Sequence, residues 1–160
     1  PREACPEVLL STPLGAVVMA IADAWESVTP GGDRPSFGYS RSAHKPETED
    51  ADDEDAALED REFVFDDPVL IEDGSSAGIG RVLRHWSIEA TFGFDTSDLG
   101  NIERISEMAG HQHAIRRAID ARPTWPQGAH HVVFDDARSR KTASGDSILV
   151  ARVLIAVWET

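Results

Sequence analysis

The chain has 160 residues, of which 41% are hydrophobic and only 7% aromatic, and this predicts one domain with a modest core. Its 29 acidic residues outnumber its 15 basic ones, and a formal charge of −14 argues against bulk attraction to nucleic-acid phosphates. A single cysteine, Cys5, excludes an internal disulfide, and no apolar run reaches the roughly 18 residues of a membrane helix. We therefore expect a soluble protein made in a reducing compartment.

A first helix is indicated near the N-terminus. Ser11 and Thr12 offer capping hydroxyls, and Pro13 suits the first helical position because the missing N–H costs nothing there. Apolar residues follow at helical spacing, and the segment 29–32, Thr-Pro-Gly-Gly, ends the pattern. The predicted core stripe is Leu14, Val17, Val18, Ile21, Trp25 and Val28.

The segment 47–60 contains nine acidic residues in fourteen. Such a block repels itself and buries little apolar surface, so it predicts a disordered, solvated insertion. A calcium-binding loop is the alternative, but that loop needs a glycine for its turn, and no glycine occurs between Gly38 and Gly74.

Strand patterns follow. The runs 61–65 and 68–72 are short and apolar, and the two aspartates between them indicate a kink or a strand pair. The glycine-rich stretch 74–81 lacks the lysine of a phosphate loop, which favours a mobile hairpin loop. In HWSIEATFGFD, 85–95, every second residue is apolar, which predicts a half-buried strand with one polar face.

A second helix is predicted from about Asp98–Asn101 to Arg122, followed by a strand at 130–134, a polar loop at 135–147 and a long apolar strand at 148–158. The helix stripe is Leu99, Ile102, Ile105, Met108, Ile115 and Ile119. The last strand has one unbroken apolar face, and Arg152 interrupts the other. The predicted fold is α+β, with two helices packed on one side of a largely antiparallel β-sheet.

Neither a metal site nor a catalytic site is predicted. His111 and His113 are two residues apart on a helix, and His130 and His131 should point to opposite sides of a strand, so neither pair can hold one ion. We expect surface or edge histidines instead. No serine elbow occurs, and Cys5 lies in a segment that should fray. We therefore expect no catalytic residue, no metal and no cofactor.

The order of these elements resembles the tail terminator family of long-tailed bacteriophages. The resemblance rests on the amphipathic N-terminal helix, on DDPVLIED (66–73), on the glycine-rich loop leading into RHWSIEATFGFD (84–95), and on the helix and strand pair that follow. It covers nearly the whole chain, although none of these stretches is a diagnostic motif. The acidic segment 47–60 is an insertion whose role the family does not explain.

This resemblance implies a structural virion protein rather than an enzyme. It would form a ring, with six subunits expected, that caps the tail tube, stops its polymerisation and joins the tail to the head connector or stopper protein. Assembly would occur in the host cytoplasm, with no membrane partner, and DNA would pass the channel without specific binding. The candidates for subunit or tube contacts are Arg84, His85, Glu89, Arg138, Arg140, Lys141, Arg152 and Trp158.

Three alternatives remain open. The chain could instead be another neck protein, such as a head-closure, adaptor or minor tail protein. A small ligand-binding or hydrolytic α+β domain could use the polar strand face as a pocket lined by His85, Glu89 and Thr91. Arg84 and Arg152 could also be ordinary surface arginines whose alkyl stems lie on the sheet.

Overall fold

A computed structural model describes residues 12–28, 38–42, 58–76 and 80–160, with the backbone alone at 73–76. Most of the acidic insertion, 47–57, lies outside the described residues, as do Cys5, Ser11 and the predicted helix stop at 29–32. The described elements, in chain order, are α1 (Pro13–Glu26), β1 (Ser40–Arg41), β2 (Glu62–Phe65), β3 (Val69–Ser76), β4 (Val82–Phe94), α2 (Asn101–Asp120), β5 (Ala129–Lys141) and β6 (Ser147–Glu159).

The described strands form one six-stranded sheet that confirms the predicted α+β class. The strand order is β1-β2-β4-β6-β5, and β3 also pairs with β4. All pairings are antiparallel except that of β1 with β2. Strands β2 and β3 lie one after the other along the same edge of β4, so the two aspartates between them mark a kink rather than a turn between paired strands.

The first helix begins as predicted. Thr12 is the N-cap, and its side chain accepts a hydrogen bond from the Gly15 N–H at 3.1 Å, which satisfies one of the unpaired donors of the first turn. Pro13 is the first helical residue. Val17, Ile21 and Trp25 are fully buried, so the predicted stripe faces the core.

The core lies between the two helices and one face of the sheet, which we call the inner face. Paired residues of β4 and β6 supply its centre, with Ile88 opposite Val153 and Phe92 opposite Leu149. Trp25 packs on Phe63, Phe65 and Phe92, and its indole N–H donates to the Ile115 carbonyl of α2 at 3.1 Å. The indole therefore ties the two helices to the sheet.

The predicted stripe of α2 is wrong in its first two turns. Met108, Ile115 and Ile119 are buried as expected, but Ile102 is 79% exposed and Ile105 is also exposed. At about 100° per residue, Ile102 and Ile105 lie roughly 120° and 60° around the helix from Met108. His111 falls within the buried arc instead, which corrects its prediction as a surface histidine.

Strand β5 is longer than the sequence predicts. The residues 135–141 were expected in a polar loop, yet they continue the strand and pair with β6 as far as Lys141 opposite Ser147. The loop contains only the residues 142–146, with Gly145 at a φ of 95°. The predicted loop at 74–81 is also shorter, because β3 extends to Ser76 before the chain returns in β4.

Candidate functional site on the open face of the sheet

The sheet face opposite the helices, called the outer face, carries most of the polar side chains selected from the sequence. Side chains alternate between faces along a strand, and residues directly opposite on neighbouring strands share a face. The outer face is therefore made of rows that cross β4, β6 and β5. From one end to the other these rows are His85–Ala156–His131, Ser87–Leu154–Val133, Glu89–Arg152–Asp136 and Thr91–Val150–Arg138.

Arg152 occupies the centre of the outer face. Its guanidinium nitrogens lie 3.5 Å from a carboxylate oxygen of Glu89 on β4 and 3.6 Å from one of Asp135 on β5. The Arg152 side chain is 47% exposed, so water screens both ion pairs and each contributes little to stability. Arg152 thus links three strands on their solvent side.

Two β-bulges in β5 add polar side chains to the outer face. The pairing with β6 shifts by one residue between Ala129 and His131 and again between Phe134 and Asp136. A bulge places two residues opposite one, so neighbours in sequence can face the same way. Asp135 contacts Arg152 for this reason. His130 and His131 also lie together, which contradicts the prediction that they point to opposite sides.

Three histidines cluster at one end of the outer face. The ring centroids of His130 and His131 are 5.2 Å apart, and those of His85 and His131 are 6.4 Å apart. The His130 ring also meets the Trp158 indole edge-on at 6.0 Å, and the Arg81 guanidinium lies over that indole at 5.4 Å. Burial, and then the neighbouring His130 and His85, lower the pKa of His131.

A shallow cavity of about 300 Å³ adjoins Arg152 at the β3 side of the outer face. Its lining is Asp66, Asp67, Val69, Ser87, Glu89 and Arg152. Three carboxylates against one guanidinium favour a positively charged occupant, and Val69 supplies an apolar wall for an aliphatic stem. The pocket that the sequence suggested combined Glu89 with His85 and Thr91, neither of which lines this cavity.

A second cavity, of about 440 Å³, opens at the far end of the sheet. Its charged lining consists of Glu59, Asp60, Asp95 and Asp146, with serines and Leu58 around them. Burial, followed by a hydrogen bond with Asp95, raises the pKa of the Asp146 carboxyl. Asp60 accepts a hydrogen bond from the Asp95 N–H at 3.0 Å, so one of these carboxylates holds the loop after β4.

A buried polar network crosses the core, and sequence reasoning missed it. The Tyr39 hydroxyl and His111 Nδ1 are 2.8 Å apart, and His111 Nε2 lies 3.6 Å from the Glu107 carboxylate. Burial, and secondarily the positive charge of Arg61, lower the pKa of His111 to about 4. Burial also raises the pKa of Tyr39. The neutral imidazole stacks on Phe94 at 4.2 Å, so this network is part of the packing.

Six of the eight predicted contact residues lie on the outer face: His85, Glu89, Arg138, Arg140, Arg152 and Trp158. Arg84 does not, because it lies directly opposite the core residue Val157 and so belongs to the inner face of the sheet. Its guanidinium lies 3.5 Å from Glu159, which also accepts from the Trp86 indole. Lys141, opposite the buried Ser147, follows the inner alternation too, although it is exposed at the strand end. Arg84 and Arg152 therefore cannot contact one partner surface on the same face.

Two kinds of feature are absent from the residues that the structure describes. Within 12–28, 38–42, 58–76 and 80–160, no three histidine, cysteine, aspartate or glutamate side chains are arranged to hold a metal ion. In the same part of the chain, no helix is both long and apolar enough to span a membrane.

Neither a scan against protein-family models nor a search of curated proteins finds a match to the chain.

Proposed function

We propose that this chain is a ring-forming structural protein of a phage neck, and specifically a tail terminator that caps the tail tube and joins it to the head connector. The observation that carries the assembly part is the complementarity of the two outermost long strands, β3 and β5. Among the described strands, each of these pairs with one neighbour only. Such edges expose backbone donors and acceptors that can pair with another chain.

The β3 edge is apolar and acidic. Val69, Leu70 and Ile71 are consecutive exposed hydrophobic residues, and Val69 is 63% exposed. The acidic residues on this side are Asp66, Asp67 and Glu72, which are all exposed. Natural sheets normally blunt an exposed edge with charge or a bulge, and an apolar run of this kind favours a covering partner.

The last four residues of β5, 138–141, carry the opposite charge. Arg138, Arg140 and Lys141 fall within four positions of a chain that has only 15 basic residues, and all three are exposed. On the same strand Val133 is 44% exposed on the outer face. A basic side chain of one copy, with its aliphatic stem on Val69, fits the acidic cavity of a second copy.

Contact between two different edges is a heterologous interface. Such an interface gives a closed ring when the rotation between neighbours closes, and closure limits growth as a terminator requires. The order of helices and strands supports the tail terminator assignment through the family resemblance. A net charge of −14 also suits a channel wall that must not retain DNA.

The test of assembly is a charge reversal with a matched control. We expect Arg138→Glu/Arg140→Glu to abolish self-association in native mass spectrometry and sedimentation, because like charges then face each other across the interface. Arg117→Glu changes an exposed arginine on α2 and should associate as the parent does. Asp66→Lys/Asp67→Lys should restore association when combined with the double β5 variant.

Capping is tested separately, with tube protein polymerised in the presence of this chain. A terminator gives tubes that carry a ring at one end and stop growing, as seen by electron microscopy. A ring on the connector without capped tubes would favour a head-closure or adaptor protein. A monomer at all concentrations, with and without tubes, would contradict the proposal.

A further inference from the structure

Strands β3 and β5, the two edges of the proposed contact, are held at fixed levels because both belong to the same sheet. Three rows of directly paired residues cross it from the β3 edge, over β4 and β6, to the β5 edge. The rows are Val69–Ser87–Leu154–Val133, Leu70–Trp86–Ile155–Val132 and Glu72–His85–Ala156–His131. Each row therefore ends on β3 at one side and on β5 at the other.

We infer that, in the proposed ring, β3 of one copy pairs antiparallel with β5 of the next in the register that continues these rows. Val69 of one copy then lies beside Val133 of the next, and Glu72 lies beside His131. The inference rests on the proposed self-association and adds to it the partner strand, its direction and its register.

The strand directions permit this continuation. Strands β3 and β6 run one way and β4 and β5 the other, because each successive pairing is antiparallel. A second copy placed beside β5 in the same orientation therefore presents an antiparallel β3. The outer faces of the two copies stay on one side of the joined sheet, and their helices stay on the other.

The apolar row ends favour this register. Val69 is 63% exposed in a single copy and Val133 is 44% exposed, so pairing them removes two apolar side chains from water on the outer face. One position along, on the inner face, Leu70 is 42% exposed and meets Val132, which is partly buried against the core. Two successive rows thus join apolar ends on both faces.

The polar row ends favour the same register. Glu72 and His131 are both exposed, and a carboxylate accepts a hydrogen bond from an imidazole N–H in either protonation state of the ring. A shift of two residues in one direction would place Val69 beside His131. The opposite shift would place Glu72 beside Val133. A shift of one residue would exchange the two faces of the strand.

This register also agrees with the proposed charge contact. The Arg138 guanidinium lies 3.1 Å from the Asp136 carboxylate, so the side chain extends back toward the row of Glu89, Arg152 and Asp136. Asp66 lines the acidic cavity at that row, and its N–H donates to the Glu89 carbonyl at 2.9 Å. Arg138 of one copy and the acidic cavity of the next therefore lie at neighbouring levels along the strands.

The test is disulfide cross-linking of the whole chain, with Cys5→Ser in every variant so that each carries only the added cysteine. Direct cross-strand partners have Cβ atoms about 4.5–5.5 Å apart, near the roughly 3.5–4.5 Å of a disulfide, whereas diagonal neighbours are about 7–8 Å apart. Under mild oxidation, Val69→Cys should give roughly tenfold more cross-linked dimer with Val133→Cys than with His131→Cys. Glu72→Cys should show the reverse preference, which controls for the reactivity of each cysteine.

Native mass spectrometry of the unsubstituted chain separates this inference from the proposed ring. If the chain associates but the cross-linking preferences are reversed, equal or absent, the register is overturned and the ring is not. A chain that stays monomeric with and without tubes would overturn both.

Discussion

On the inner face β6 contributes Leu149, Val153 and Val157, which are all fully buried, whereas its outer face carries Arg152, which is 47% exposed. These residues all lie within 149–157 of one strand, yet Leu149, Val153 and Val157 pack under helices and Arg152 stands among charges in water. Burial of apolar surface stabilises the first set, and solvation screens the second. The comparison teaches that alternate positions of one strand contribute differently: the inner positions supply most of the stability, and the outer positions stay in solvent.

The largest loss of stability is expected for Val153→Asp, which places a charge on the inner face of β6. The substitution puts a carboxylate into the core opposite Ile88, with no partner to offset its desolvation. We expect a loss of at least about 3 kcal/mol in the free energy of unfolding, which is a large part of the stability of a typical domain. Urea unfolding followed by circular dichroism measures it.

Val133→Asp is the matched control, because it makes the same change on the neighbouring strand but on the outer face. Val133 is 44% exposed, so the new carboxylate stays hydrated and should cost about 1 kcal/mol or less. Equal losses in the two variants would mean that the inner face is not the main source of stability.

The sequence predicted the inner face better than the outer one, for a physical reason. Burial imposes strict alternation, and 85–95 and 148–158 show it because their inner residues are all apolar or small. The sequence did not predict the full length of β5. Its two bulges interrupt the alternation of faces twice, and residues 138–141 present charge to solvent. Bulges, which depend on the partner strand, carry no sequence signal of their own here.

In helix α2, too, the sequence did not predict correctly which residues face the core. Its apolar residues suggested a stripe through Ile102 and Ile105, but the described packing uses Met108, His111 and Ile115. Residue type does not reveal a histidine whose burial depends on a tyrosine 72 positions away in the chain. Of the eight candidate contact residues, Arg84 and Lys141 follow the inner face instead of the outer one, and contact by the other six stays a prediction.

The buried His111 makes the stability of the inner side depend on pH. Because the pKa of His111 is lowered from 6.5 to about 4, the unfolded chain binds a proton there that the folded chain does not, between these two values. The contribution is complete above pH 6.5 and is lost as the pH falls towards 4. It amounts to about 3 kcal/mol at 1.36 kcal/mol per pKa unit.

We therefore expect the free energy of unfolding of the parent to fall more steeply between pH 6.5 and 4 than that of His111→Phe, by roughly that amount. Phenylalanine keeps the stacking position on Phe94 and removes the titrating group. His113→Phe, on the exposed side of the same helix, should retain the parental slope. Parallel pH profiles for the parent and His111→Phe would show that His111 is not the group responsible.

The smallest expected effect belongs to Arg152→Ala. Its two ion pairs are long, at 3.5 and 3.6 Å, and exposed, so their loss should change the free energy of unfolding by no more than about 1 kcal/mol. A double-mutant cycle with Glu89→Ala isolates one pair, and we expect a coupling of about 0.2–1 kcal/mol that shrinks in 1 M NaCl. A salt-independent coupling above about 2 kcal/mol would place Arg152 in a desolvated network and would contradict an open outer face, since only buried pairs reach such values. A coupling within the expected range leaves the charges of the outer face available to a partner, because little folding energy is committed to holding them in place.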